Sequence, residues 1–430
     1  MMIIFSGCEG LKTPEELIQP PELNVEKKEL NDALLSFLPQ NSDLIVLPYA
    51  KGIKNDSSII NKDIDSDSQE EAIALYRDKN TRKLGLIVLD KLNEVWVKKI
   101  DIKLEAFEIS DYKVLDLDND GMDEIIIGYY GITNPYKEIN IYKQEKNTLV
   151  SIFTESYLAM QVLDADDDGI QDIAISDFGD TDKNNRLSIL NVTDGNVIKV
   201  SEMIYPNENE VYSIAFGKIN DNTKGFFVDM YVNQTYGQTD VLTYKDKELS
   251  SIIKNSKIGP IIQNTPIKSA DIDDDGIIEV AKMQFIDKHD IESSSNSYVK
   301  NYYKISEDNN LDLVSQLYED TNLGINIAFP ISFKDNFFIE KETDGSGIWI
   351  YYSQKDKTGG IPFMLVKKVD KSKLEALLGE YQLISEVEDT AIIAKVIEIP
   401  DNLSSRDRRT YEKMQSDAKD LTLIIKPSNY

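Results

Sequence analysis

Three segments of the chain pack carboxylates at a spacing that suits one kind of chemistry. They read D-L-D-N-D-G-M-D-E from Asp116, D-A-D-D-D-G-I-Q-D from Asp164 and D-I-D-D-D-G-I-I-E from Asp271, each running into a short apolar stretch. Carboxylates this close repel one another unless a cation sits among them. Oxygen ligands without His or Cys select a hard ion, and a flexible cage with this many ligands favours Ca²⁺ over Mg²⁺. The expected ligands are Asp116, Asp118, Asp120 and Glu124 with the carbonyl of Met122. The second set is Asp164, Asp166, Asp168 and Asp172 with the carbonyl of Ile170. The third is Asp271, Asp273, Asp275 and Glu279 with the carbonyl of Ile277. Gly121, Gly169 and Gly276 follow the third Asp, where the chain must turn sharply and a residue without Cβ enters positive φ freely.

An EF-hand begins the same way but needs a bidentate Glu at its twelfth position and a following helix. Here the twelfth positions are Ile127, Ile175 and Lys282, and strand-like sequence follows. A fourth frame, Asp63, Asp65, Asp67 and Glu71, keeps its ligands but carries Ser68 in place of Gly, a turn that costs roughly 1 kcal/mol and predicts a weaker site. A fifth frame has Lys218, Asn220, Asn222 and Phe226 at the ligand positions, and no metal is expected there. The five frames start 53, 48, 54 and 53 residues apart. A period near fifty with a turn-flanked strand in each unit is the signature of a β-propeller or a similar array.

The elements between the loops fit that reading. Short runs rich in Ile, Val, Tyr and Phe, bounded by Gly, Asn and Asp, recur at the spacing of four-stranded blades, and no helix of ordinary length is expected between 40 and 320. The loops and the strands after them resemble the FG-GAP (VCBS) repeats of integrin-α-like propellers, over roughly residues 40–325. The resemblance implies a mainly β fold of five to seven blades, calcium in the loops, each loop joining two strands of one blade, and a role in cell-surface recognition.

The ends differ in character. Phe5-Ser6-Gly7-Cys8 resembles a bacterial lipobox, which implies a diacylated Cys8 and residues 1–39 as a truncated lipoprotein signal, a Pro- and Glu-rich tether and a helix from Val25 to Leu38 capped by Asn24. Residues 326–430 read as a small α+β domain: a hairpin around Thr343–Gly347, a short helix from Ser372 to Leu378, two strands, a helix from Ser404 to Lys419 and a last strand from Leu421. The hairpin could instead begin a sixth blade.

Composition narrows the function. With 76 acidic and 47 basic residues the chain carries −29, and four divalent ions would leave it near −21, a field that repels nucleic acid and anionic lipid surfaces. His289 is the only histidine and Cys8 the only cysteine, so neither a Ser-His-Asp triad nor a multi-His metal site can be built. The leading expectation is a non-catalytic, surface-anchored binding module for an extracellular protein or glycan, on the outer face of a bacterial membrane. Tyr129, Tyr130 and the stretch Asn233 to Tyr236 are its candidate contact residues. Two alternatives stay open: a carboxylate-dependent polysaccharide-acting enzyme on a propeller, and an accessory subunit of a membrane sensor. Arg406, Arg408 and Arg409, set against the dipole at a helix start, predict an acidic partner, within the chain or outside it.

Overall fold

The structure, a computed structural model, describes residues 25–46, 58–132, 134–178, 184–232, 236–254, 256–263, 265–286, 298–353 and 360–428. Cys8, Asn24, His289 and Asn233–Thr235 lie outside the described residues. The fold is mainly β. Among the described residues six antiparallel sheets follow one another, and none closes into a barrel.

The first sheet runs Ser42–Leu44, Glu71–Asp78, Leu84–Leu92, Val95–Leu104, with Ile59–Lys62 also paired to Glu71–Asp78. The second is Ala106–Leu115, Glu124–Gly131, Lys137–Glu145, Thr148–Tyr157. The third is Ala159–Leu163, Asp172–Phe178, Asn185–Thr193, Asn196–Tyr205. The fourth is Val211–Asn220, Thr223–Val232, Tyr236–Lys245, Glu248–Ser251, with Ile261–Gln263 on the third of these. In the fifth, Val280–Phe285, Tyr298–Ile305, Leu311–Asp320 and Ile325–Phe329 are joined by Ile425–Pro427 from near the C-terminus. The sixth holds Phe337–Lys341, Gly347–Ser353 and Gly360–Asp370, then Thr390–Val396 ahead of Gln382–Val387.

The middle strands explain why the apolar runs in the sequence are continuous rather than alternating. Glu71–Tyr76 and Leu84–Asp90 are buried throughout, because both faces of the strand are covered, whereas the outer strand Val95–Leu104 is mixed. Two-residue turns with positive φ close the third-to-fourth strand hairpins at Asn93-Glu94, Asp194-Gly195 and Asp246-Lys247, the twist that a tight hairpin prefers.

Two compact units emerge: 1–157 with 191–198, and 158–190 with 199–430. In the first, one core joins the first two sheets through Ile73, Leu75, Leu86, Val88, Val114, Ile125 and Ile127. On the other face of the first sheet, the helix Val25–Phe37 buries Leu30 and Leu34 against Ala72, Ala74, Tyr76 and Ile87. In the second unit the third and fourth sheets share Leu187, Ile189, Phe226 and Val228, and the fourth and fifth share Phe227, Val241, Ile278 and Val280. The fifth and sixth share a third core with the helix Ser405–Asp417, whose Tyr411 and Met414 are fully buried. The sixth sheet and this helix thus share a core with the sheet before them.

Near the C-terminus the sequence pattern and the backbone part company. Leu421–Ile424 is a helical turn capped by Asp420, and only Ile425–Pro427 is strand. An apolar run this short fits either state, and the Asp420 cap decides it. The helix before it, Ser405–Asp417, is capped by Ser404, whose Oγ accepts from the Asp407 amide. There Arg408 donates to the carbonyls of Pro400 and Asp401 rather than to a carboxylate.

Gly225 marks one close approach between strands. A Cβ there would lie 2.1 Å from the carbonyl oxygen of Leu242 and 2.7 Å from Ile219 Cδ1. We expect Gly225→Ala to destabilise the protein by about 1–3 kcal/mol, as overpacking typically does, read as a lowered melting temperature by circular dichroism. An unchanged melt would contradict this packing.

Candidate metal centres

Four loops share one backbone build. Each links two antiparallel neighbours: Ile59–Lys62 to Glu71–Asp78, Ala106–Leu115 to Glu124–Gly131, and Ala159–Leu163 to Asp172–Phe178. The fourth lies between Ala270 and Glu279, which form a bridge leading into Val280–Phe285. Positive φ recurs at the fourth and sixth positions of every loop: Ser66 and Ser68, Asn119 and Gly121, Asp167 and Gly169, Asp274 and Gly276. Ser68 takes the glycine conformation at φ 69° despite its Cβ.

Three hydrogen bonds recur in every loop. The first Asp accepts the amide of the sixth residue at 2.8–2.9 Å: Ser68 on Asp63, Gly121 on Asp116, Gly169 on Asp164, Gly276 on Asp271. The third Asp accepts the amide two residues on, so Asp67, Asp120, Asp168 and Asp275 bind the peptides of Gln69, Met122, Ile170 and Ile277. The ninth-position carboxylate is buried and accepts the amide seven residues back: Ile64 to Glu71, Leu117 to Glu124, Ala165 to Asp172, Ile272 to Glu279, at 2.8–3.0 Å.

Within that frame the first, second and ninth-position carboxylates converge. Asp63, Asp65 and Glu71 each bring one oxygen within 4.8 Å of the others, as do Asp116, Asp118 and Glu124, then Asp164, Asp166 and Asp172, then Asp271, Asp273 and Glu279. These four clusters could hold a metal ion. The third Asp of each loop is not among the converging groups, and its Oδ1 is held by an amide of its own loop. The donor set fits a hard cation on a direct observation: Asp116 Oδ1, Asp118 Oδ1 and Glu124 Oε1 are all buried without a hydrogen-bond partner, and so are Asp166 Oδ1 and Glu279 Oε1. A buried carboxylate oxygen left unpaired is expensive, and a cation removes the cost.

The electrostatics agree. Burial pushes the carboxyl of Glu124 up to about 7, with Asp118 and Asp120 adding repulsion. Glu279 and Glu71 are raised for the same first reason. Asp166 is raised by burial and by Asp168 and Asp164.

Lysines that a loop-by-loop reading of the sequence misses face three of the clusters. Lys143 Nζ lies 2.7 Å from Asp120. Lys304 Nζ lies 2.9 Å from Asp273, bonds Asp275, and stops 3.6 Å from Glu279. Lys99 Nζ reaches Asp65 at 2.6 Å and Glu71 at 3.0 Å. Strand register is the signal that finds two of them. The pairs Ile125↔Tyr142 and Val280↔Tyr303 put Lys143 and Lys304 one step on, beside Glu124 and Glu279.

The fifth frame is built otherwise. Asn220 pairs with Thr223 across a tight hairpin, and Phe226 is buried in the core. Of the aromatic contact candidates, Tyr129 is buried and its hydroxyl accepts from Asn140, while Tyr130 and Tyr236 are exposed.

The raised Glu124 carboxyl has a signed consequence. Without a cation the folded state holds its proton more tightly than the unfolded chain, so the contribution is full below about pH 4.5 and is lost as pH rises through about 7. In EDTA the melting temperature should fall between pH 5 and pH 8, and fall less in Glu124→Gln. An equal fall in both proteins would contradict the assignment.

No family model matches this chain, and no curated protein matches it. Among solved structures it is similar to an exotype rhamnogalacturonan lyase, YesX, at 10% identity and a TM-score of 0.27, over 74% of this chain and 76% of that one. A rhamnogalacturonan lyase, YesW, matches at 11% identity and a TM-score of 0.27, over 70% of each chain. A Bacillus licheniformis rhamnogalacturonan lyase, PL11, matches at 10% identity and a TM-score of 0.27, over 71% and 70%. Likeness this slight carries no conclusion about activity or ligand.

Proposed function

We propose that this chain is a non-catalytic, calcium-stabilised binding module that recognises a protein or glycan at the cell surface, anchored through a lipid on Cys8. Its sheets are read as blades of an FG-GAP-like propeller. One observation carries the reading: the same loop, with three converging carboxylates, recurs four times, leading into Glu71–Asp78, Glu124–Gly131, Asp172–Phe178 and Val280–Phe285 in the first, second, third and fifth sheets. A catalytic site is built once, whereas a structural staple is built once per repeat. The consecutive order of four strands in the second and third sheets, and of the first four strands in the fourth and fifth, supports blades. The all-oxygen ligand set supports Ca²⁺.

The staple works by closing a hairpin. The ion cancels the repulsion within each cluster and ties the ninth-position carboxylate at the base of one strand to the loop above it. At about 1 mM Ca²⁺ and a Kd of about 0.1 mM, each site contributes about 1.4 kcal/mol to folding. Melts in Ca²⁺ and in EDTA should differ by several degrees, and Asp166→Ala should lower the calcium melt more than Asn220→Ala. Identical curves, or equal effects of the two substitutions, would sink the staple. For recognition, the calcium-loaded protein should retain ligands from a glycan array or a cell-surface protein extract without releasing cleavage products. Product formation in that assay would make it an enzyme.

A further inference from the structure

The loop at 63–71 differs from its three counterparts in what fills its centre. Lys99 rises from the fourth strand of the first sheet, Val95–Leu104, and its side chain is only 8% exposed. Its Nζ lies 2.6 Å from Asp65 Oδ2, 3.0 Å from Glu71 Oε1 and 3.3 Å from Asp90 Oδ2. Asp65 and Glu71 are two of the three converging carboxylates, so the ammonium is bonded to two members of that cluster. Both oxygens of Glu71 are therefore bonded, one by Lys99 and one by the Ile64 amide. The matching oxygens Glu124 Oε1 and Glu279 Oε1 have no hydrogen-bond partner. Gln144 Nε2 adds a contact of 3.2 Å to Asp65 Oδ2, while Asp65 Oδ1 and Asp90 Oδ1 stay unbonded.

The other lysines stand elsewhere. Lys143 ion-pairs with the third Asp of its loop, Asp120, which is not one of the three converging carboxylates. Lys304 holds the outer carboxylates Asp273 and Asp275 with a side chain 20% exposed and stays beyond hydrogen-bond reach of Glu279. Both side chains are more exposed than that of Lys99. Lys99 cannot withdraw into water cheaply, because its stem is enclosed and Asp90, a third carboxylate, holds it from the neighbouring strand. An ammonium with three carboxylate partners also satisfies the condition under which a buried charge is tolerated.

We propose that Lys99 is the resident cation of the 63–71 loop: its tethered ammonium occupies the seat that a divalent ion takes in the other three loops. This hairpin is then closed at any calcium concentration, and Ser68 is tolerated because no ion has to be gripped there. The inference rests on the calcium reading of the loops, and the two fail differently.

Bound calcium per chain, measured by equilibrium dialysis at millimolar Ca²⁺, tests it. Wild type should hold three ions, and Lys99→Met should hold four and melt lower than wild type in EDTA. Asp65→Asn should leave the wild-type count at three, whereas Asp118→Asn should reduce it to two, which keeps the test decisive if Lys99→Met does not fold. Four ions on wild type, a count lowered by Asp65→Asn, or three ions on folded Lys99→Met would overturn the proposal and leave the calcium reading intact. No calcium on either wild type or Lys99→Met would overturn both.

Discussion

A buried carboxylate at the ninth position of each loop is the constraint from which the rest follows. It ends one strand's loop and begins the next strand, so it is fixed by the sheet. One of its oxygens accepts the amide seven residues back and sets the loop's path. At Glu124 and Glu279 the other oxygen is left facing further carboxylates in a place that water does not reach. Such a group must be protonated, paired with an ammonium or bound to a metal. At Glu71 that oxygen is paired with the Lys99 ammonium, whereas at Glu124 and Glu279 it has no hydrogen-bond partner, and the difference comes from a neighbouring strand rather than from the loop.

That division explains the arrangement of charge around the clusters. The first Asp and the third Asp spend much of their hydrogen-bonding capacity on loop amides, so they act as turn residues as much as ligands. The second Asp and the ninth-position carboxylate have less backbone to satisfy them, and they meet whatever cation is available. Lys99, Lys143 and Lys304 come from strands that a loop-by-loop inspection would not connect to the site. Their different depths, from an enclosed stem to a side chain at the rim, grade the loops more finely than a Gly-to-Ser change does.

Much of this was legible in the sequence, for physical reasons that can be named. Three carboxylates and a glycine in six residues admit few conformations, so the turn at Gly121 and its equivalents could be read directly, including the positive φ forced on Ser68. Mainly β structure was legible because continuous Ile and Val runs fit strands covered on both faces. The helix at Val25–Phe37 was legible from its spacing. What stayed hidden depends on long-range pairing. No local pattern says that Ile425–Pro427 returns to pair with Ile325–Phe329, or that Thr390–Val396 inserts ahead of Gln382–Val387. The apolar run from Leu421 fits helix and strand alike, and only its cap and its partner decide. Lys99 was invisible for the same reason: it lies 28 residues beyond Glu71 and meets it only through strand register.

The central claim is that these carboxylates converge because an ion belongs between them. Anomalous diffraction from crystals grown in calcium, collected at long wavelength, tests it most directly. The account predicts peaks about 2.3–2.6 Å from the oxygens of Asp116, Asp118 and Glu124, and at the equivalent places in the 164 and 271 loops. Well-ordered loops without anomalous density at those places, at millimolar calcium, would contradict it.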